Sequence, residues 1–152
     1  MEVLQLHGEK EIWLYTPKKP YELACLTGRL QGAVCILIVD DQKISTDRKN
    51  QICMDIVYSE CEWVACLGYD GSDWDDRLDW SYLESIDFDS SFKETLLTSW
   101  HDDETLVEVL EPFLRYPLAR NGALYNKIAI ILLGSDHYTP DGIKHTINQL
   151  LH

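Results

Sequence analysis

Positive charge is what this chain has least of. Against 26 aspartates and glutamates stand 13 lysines and arginines, a formal net charge of −13 over 152 residues. A surplus of that size repels phosphate and no basic stripe offsets it, so nucleic acid is not expected as a direct partner. Long apolar runs are missing too. The longest, residues 33–39 and 128–133, fall far short of the ~20 residues a bilayer span needs. Residues 1–6 have neither the basic start nor the apolar core of a signal peptide. The expectation is a cytoplasmic protein with no membrane segment. The five cysteines (Cys25, Cys35, Cys53, Cys61, Cys66) form no C-x-x-C pair, and the histidines are scattered. That pattern fits buried apolar thiols in a reducing compartment better than a disulfide frame or a zinc site. There is no Walker loop, no G-x-G-x-x-G and no G-x-S-x-G elbow. Nucleotide binding by those routes falls away, and no cofactor is expected.

What the chain does have is concentrated. Residues 70–111 carry fourteen acidic residues against only Arg77 and Lys93, a local net charge of −12. The remaining 110 residues are almost balanced, with 11 basic and 12 acidic groups. Trp74, Trp80, Tyr82, Phe88 and Trp100 are interleaved with this charge. An acidic, aromatic-rich stretch on a balanced domain points to a surface that meets something cationic.

Periodicity gives the frame. Residues 3–6 and 11–15 read as short strands joined by a turn at 7–10, and Pro17 and Pro20 then break regular structure. Residues 21–26 read as one or two helical turns ending at Gly28. Residues 1–32 are thus an irregular or edge-strand segment. From 33 onward the pattern sharpens into a core that extends to 152, within a single domain. Residues 33–39 and 127–133 are continuous apolar runs, the mark of strands buried on both faces, and 62–67 reads the same way. Ile44, Ile52, Cys53, Ile56 and Val57 recur at helical spacing behind Ser45 or Thr46 as N-cap. Residues 69–91 read as a long loop with a short helix at 80–83 capped by Asp79. Residues 93–98 read as a strand. Asp102 or Asp103 is expected to cap a helix with Leu106, Val107, Leu110, Phe113 and Leu114 inward, shortened or kinked by Pro112. Asn121-Gly122 reads as a turn, and Thr139-Pro140-Asp141 opens the last helix. Alternating buried strands and amphipathic helices predict a three-layer α/β fold. Its mostly parallel, Rossmann-like sheet has four to five strands, with helices on both faces.

In such a sheet, ligands bind beyond the carboxyl ends of the strands. The four predicted ends hold Asp40-Asp41, Gly68-Tyr69-Asp70, Trp100-His101-Asp102-Asp103 and Ser135-Asp136-His137. Three chemistries compete there. Carboxylates such as Asp40, Asp70 and Asp102 from different strands suit a hard divalent cation, although each also serves as a helix cap or solvated loop charge. His101 beside Asp102 suits acid–base work, although it also serves as the residue before a capped helix. Trp74, Trp80 and Trp100 among carboxylates suit protein recognition, although any of them also serves to pin a loop to the core.

Two stretches carry a resemblance. Residues 70–83 read D-x-S-x-W-D-D-x-x-D-W-x-x-L, and residues 98–109 read T-x-W-H-x-D-E-x-L-x-E-V. Together they resemble an uncharacterised family of small bacterial α/β proteins, a domain of unknown function. The resemblance implies a bacterial, cytoplasmic, single-domain protein and carries over no catalytic role. The leading expectation is a non-enzymatic acidic binding module, of the kind an immunity protein or antitoxin presents to a basic toxin such as a nuclease. Its partner-binding residues would be Asp70, Asp73, Trp74, Asp75, Asp76, Asp79, Trp80, Trp100, His101, Asp102, Asp103 and Glu104. The alternative is a small metal-dependent hydrolase or phosphotransferase, with His101 and Asp102 catalytic and Asp40, Asp70 and Asp102 on the metal. Nothing in the sequence fixes the oligomeric state.

Overall fold

The two continuous apolar runs lie side by side at the centre of the molecule. A computed structural model describes residues 2–7, 10–89, 91 and 95–151, the first six by their backbone alone. Its strands are β1 (Glu2–His7), β2 (Lys10–Tyr15), β3 (Val34–Asp40), β4 (Trp63–Gly68), β5 (Leu97–Trp100) and β6 (Lys127–Gly134). Its helices are α1 (Thr46–Tyr58), α2 (Gly71–Ser85), α3 (Leu106–Arg115) and α4 (Pro140–Leu151). The sheet order is β1-β2-β6-β3-β4-β5, with β1 antiparallel to β2 and the other five strands parallel. Helices on both faces complete a three-layer α/β fold.

Alternation along each strand divides the core in two. On β3, Cys35, Leu37 and Val39 join the cluster that includes Ile52, Cys53 and Ile56 of α1 with Trp74 and Leu78 of α2. Val34, Ile36 and Ile38 join the opposite cluster, with Leu110 and Phe113 of α3 and Ile143 and Ile147 of α4. Each such side chain taken fully from water contributes about 1.5–3 kcal/mol, which is why the central stretches of β3 and β6 are apolar on both faces. Topology explains the helix layers. From β3 through α1 to β4 and through α2 to β5 the chain steps in one direction. The step through α3 to β6 runs back past β3 to its other side. Right-handed crossovers must change face when the direction reverses, so α3 and α4 lie opposite α1 and α2. The reversal leaves a topological switch point between β3 and β6.

Three expectations are corrected here. Residues 69–91 are not a loop, because α2 occupies Gly71–Ser85. Its buried stripe is Gly71, Trp74, Asp75, Leu78 and Ser81, at helical spacing. Three of those five positions are small or polar, so the apolar period is hidden. Asp70, at φ +54, opens the helix without a side-chain cap, which removes the other usual signal. The cap of α3 is neither Asp102 nor Asp103. Thr105 takes that place, its side chain accepting from the Glu108 N–H at 3.2 Å. The strand expected at 93–98 is β5 at Leu97–Trp100, and Lys93 and Glu94 lie outside the described residues. Elsewhere the pattern holds: Ser45 caps α1 by accepting from the Arg48 N–H, and α4 opens at Pro140 behind Thr139. Four of the five cysteines are buried, whereas Cys25 is exposed beside the Tyr15 hydroxyl. No described helix is long and apolar enough to cross a membrane.

Candidate functional site

The strand ends divide into two regions. At the switch point, Asp40 closes β3 and is 2% exposed. Its Oδ2 accepts from the backbone N–H groups of His137 and Tyr138, both at 2.6 Å, and its Oδ1 lies 3.1 Å from His137 Nδ1. This carboxylate is used to clamp the turn that follows β6. Asp41 beside it accepts from the Tyr21 hydroxyl at 2.7 Å and the Lys43 N–H at 2.9 Å, with Lys19 at 3.5 Å. Partial burial pushes its pKa up, but these partners together hold it below the ordinary carboxylate range. Glycines flank the same strand end. An added Cβ at Gly68 would stand 2.2 Å from the Val39 carbonyl oxygen, and one at Gly134 would stand 2.6 Å from that of Asp40.

The second region is the edge made by α2 and β5. Here helical phase decides which residues of 70–80 face outward. Asp70 and Asp73 turn toward α1. Asp73 accepts from Arg77 Nε at 2.9 Å and from Lys49 Nζ at 3.2 Å, while Lys49 lies 3.9 Å from Asp70. Hydrogen bonding from Arg77, with help from Lys49, holds the Asp73 carboxyl below its ordinary pKa. Trp74 is fully buried, with Lys49 Nζ 5.7 Å above its ring. The expectation that Trp74 fills a partner's pocket is therefore corrected: its indole fills this protein's own core. Asp75 is 6% exposed, and its Oδ1 has no hydrogen-bond partner. Burial first, then the neighbouring Asp79 and Asp76, push its pKa up.

Asp76, Asp79 and Trp80 are exposed, Trp80 at 61%. Thr98 Oγ1 donates to Asp79 Oδ1 at 2.8 Å and so ties α2 to the strand. Thr98 and Trp100 pair with Val64 and Cys66, so they share the α2 face of the sheet. Trp100 is 53% exposed on the last strand of the sheet, and Trp80 meets Phe88 edge-on at 6.2 Å. Asp102, Asp103 and Glu104 follow in the exposed turn.

Ser99 pairs with Ala65 and lies on the opposite, α3 side of β5. Its Oγ is 2.8 Å from His101 Nε2, and His101 Nδ1 is 3.2 Å from Glu104 Oε2. Trp63 Nε1 donates to the same Ser99 Oγ at 3.0 Å. With Nδ1–H donating to Glu104, Nε2 is free to accept the Ser99 proton. Sequence reasoning pairs His101 with Asp102 and misses this relay. The signal was the spacing Ser99-x-His101-x-x-Glu104, which converges because a strand alternates faces before it turns.

The structure brings together Asp75, Asp76 and Asp79, one carboxylate oxygen of each within 4.8 Å of the others. It does not bring together Asp40, Asp70 and Asp102, the trio suggested for a metal. Asp40 is spent on His137 and Tyr138, Asp70 faces Lys49, and Asp102 leans on Gly71, where an added Cβ would lie 3.2 Å from its Oδ1.

Among known proteins, the family model described as Domain of unknown function (DUF7684) matches residues 9–150. No curated protein and no solved structure matches the chain.

Proposed function

We propose that this chain, which belongs to the DUF7684 family of domains of unknown function, is a non-enzymatic binding module that docks a basic protein on its α2–β5 edge. The observation that carries this reading is the pair Trp80 and Trp100, both more than half exposed. Around them stand Asp76, Asp79, Asp102, Asp103 and Glu104. Large aromatics left in water cost solvation free energy and are characteristic anchors of protein interfaces. Carboxylates around them speed encounter with a positively charged partner and reject acidic ones. The most specific form of the reading is an immunity protein or antitoxin that occludes the phosphate-binding lysines and arginines of a basic toxin such as a nuclease. Asp70, Asp73, Trp74 and Asp75 drop out of the contact set, since internal packing and ion pairs already occupy them.

The test is affinity capture with wild type and an Asp76→Lys/Trp100→Ala variant, followed by titration of the purified partner. A basic protein bound by wild type, weakened at least tenfold in the variant and further by salt, is the expected result. Equal binding by both proteins overturns the assignment of this edge.

A second reading, a small hydrolase, is favoured by one observation, the Ser99–His101–Glu104 relay. A hydroxyl that donates to an imidazole, itself oriented by a carboxylate, is the arrangement of an activated nucleophile. Labelling of wild type but not of Ser99→Ala by a fluorophosphonate would support it. Absence of labelling at Ser99 would leave the relay a structural device that fastens β5 to the α3 side.

A further inference from the structure

Compensating charge is distributed unevenly along α2. Arg77 reaches back to Asp73 at 2.9 Å and to Asn50 at 2.8 Å, and Lys49 of α1 joins the same carboxylate. The next carboxylates receive nothing of the kind. Among the described residues, no lysine, arginine or histidine forms an ion pair with Asp75, Asp76 or Asp79. Asp79 lies one turn on from both Asp75 (i, i+4) and Asp76 (i, i+3), and one oxygen of each of the three lies within 4.8 Å of the others.

A second observation bears on the same place. The Asp75 side chain is more than nine-tenths buried, at the base of this group, and its Oδ1 has no hydrogen-bond partner. Buried carboxylate oxygens are ordinarily satisfied by donors or metals. The Thr98 hydroxyl, which donates to Asp79 at 2.8 Å, also favours the charged form of Asp75 but leaves this Oδ1 unpartnered.

We propose that Asp75, Asp76 and Asp79 form a site for one hard divalent cation of the Mg²⁺ class, seated between α2 and the edge strand β5. The donor set fixes the class. All three ligands are carboxylate oxygens, with no thiolate or imidazole among them, which selects hard ions over zinc or copper. Three oxygens fill half of an octahedral shell and leave the rest to water, the usual condition of Mg²⁺ on protein. Cis ligands around Mg²⁺ stand about 3 Å apart, so the exposed Asp76 and Asp79 side chains must rotate inward to close on the ion. The ion would neutralise the uncompensated part of the helix. The site shares Asp76 and Asp79 with the proposed docking edge, but it is measured on the protein alone, so its failure and that of the docking reading are told apart.

The experiment is titration of the isolated protein with Mn²⁺, free ion being followed by its electron paramagnetic resonance signal. Wild type is compared with Asp76→Asn/Asp79→Asn and with Asp87→Asn/Asp89→Asn, which removes the same charge from exposed positions beyond the helix. Asparagine at 79 keeps an acceptor for Thr98, and circular dichroism checks that each variant is folded. The expected result is one Mn²⁺ per chain, with a dissociation constant on the order of 10⁻⁴ M that Mg²⁺ competes for. Affinity should fall at least tenfold in the first variant and less than twofold in the second. Should the double variant not fold, Asp76→Asn alone carries the test, with a loss of at least threefold expected. Non-saturating uptake, or equal losses at the site and in the control, overturns the proposal and reduces the cluster to diffuse counter-ion attraction.

Discussion

Asp40 and His137, 97 positions apart in sequence, meet where β3 and β6 end. The Asp40 carboxylate takes the His137 backbone N–H at 2.6 Å and faces its Nδ1 at 3.1 Å. The same carboxylate takes the Tyr138 N–H, so one buried side chain shapes the turn leading into α4. Strand ends in a parallel sheet are where ligands usually sit, yet here the Asp40 carboxylate is already taken up by the protein's own hydrogen bonds.

Replacing Asp40 by alanine should therefore destabilise the fold and leave the α2–β5 edge intact. Two backbone N–H groups lose a charged acceptor, worth roughly 3 kcal/mol in total. Urea denaturation measures the loss, and unchanged partner or Mn²⁺ binding at moderate temperature shows that the edge is independent of it.

Gly68 and Gly122 both have positive φ, +100° and +76°, but only Gly68 is crowded. Alanine at 122 meets nothing within 4 Å and should cost about 1 kcal/mol of backbone strain. Alanine at 68 adds a collision with the Val39 carbonyl at 2.2 Å and should cost roughly 3 kcal/mol or more. Equal losses in thermal denaturation would show that the strand ends can spread.

The tryptophans should separate cleanly. Trp74→Ala empties a fully buried position and should cost about 3–5 kcal/mol of stability. Trp80→Ala and Trp100→Ala should stay within ~0.5 kcal/mol of wild type, since their rings are mostly in water. Either should still weaken docking by ~2 kcal/mol if it is an anchor.

Two aspartates of α2, Asp73 and Asp75, should respond to pH with opposite sign. Asp73 has a lowered folded pKa, so its contribution is present above the ordinary aspartate range and is lost as pH falls through the folded value. Asp75 has a raised folded pKa, so stability falls as pH rises from the ordinary aspartate value through the folded one. Asp75→Asn should consequently be more stable than wild type at neutral pH and lose that advantage in acid. Asp73→Asn should be less stable at neutral pH and converge with wild type in acid. Denaturation midpoints across pH 3–7 measured for both variants, with ~1 pH step spacing, test the two signs.

Several features were legible because they follow from local chemistry. β3 and β6 are apolar at every position from 34 to 39 and from 128 to 133, which only a strand covered on both faces requires. Ser45 and the Thr139-Pro140 pair mark helix starts through hydrogen bonding within a few residues. The acidic, aromatic segment stood out from composition alone. α2 was hidden because Gly71, Asp75 and Ser81 occupy its buried stripe, and burial of such groups is granted by α1 and β5, not by their own hydropathy. β5 was displaced by a few residues because an edge strand half in water carries little apolar signal.

The sequence by itself determined the layered α/β class, the order of most elements and the location of the surplus charge. Tertiary structure decided which members of that charged stretch face outward. Trp74 and Trp80 are alike in composition and neighbourhood, but helix phase and the packing of α2 on the sheet send one inside and leave the other in water. The same packing pairs Asp73 with Lys49, buries an Asp75 oxygen without a hydrogen-bond partner, and leaves Ser99, His101 and Glu104 turned toward one another. The burial of Trp74 and the Lys49–Asp73 pair depend on α1, α2 and the sheet coming together, and the Ser99–His101–Glu104 convergence depends on where β5 ends; residue order specifies these only through the folded whole.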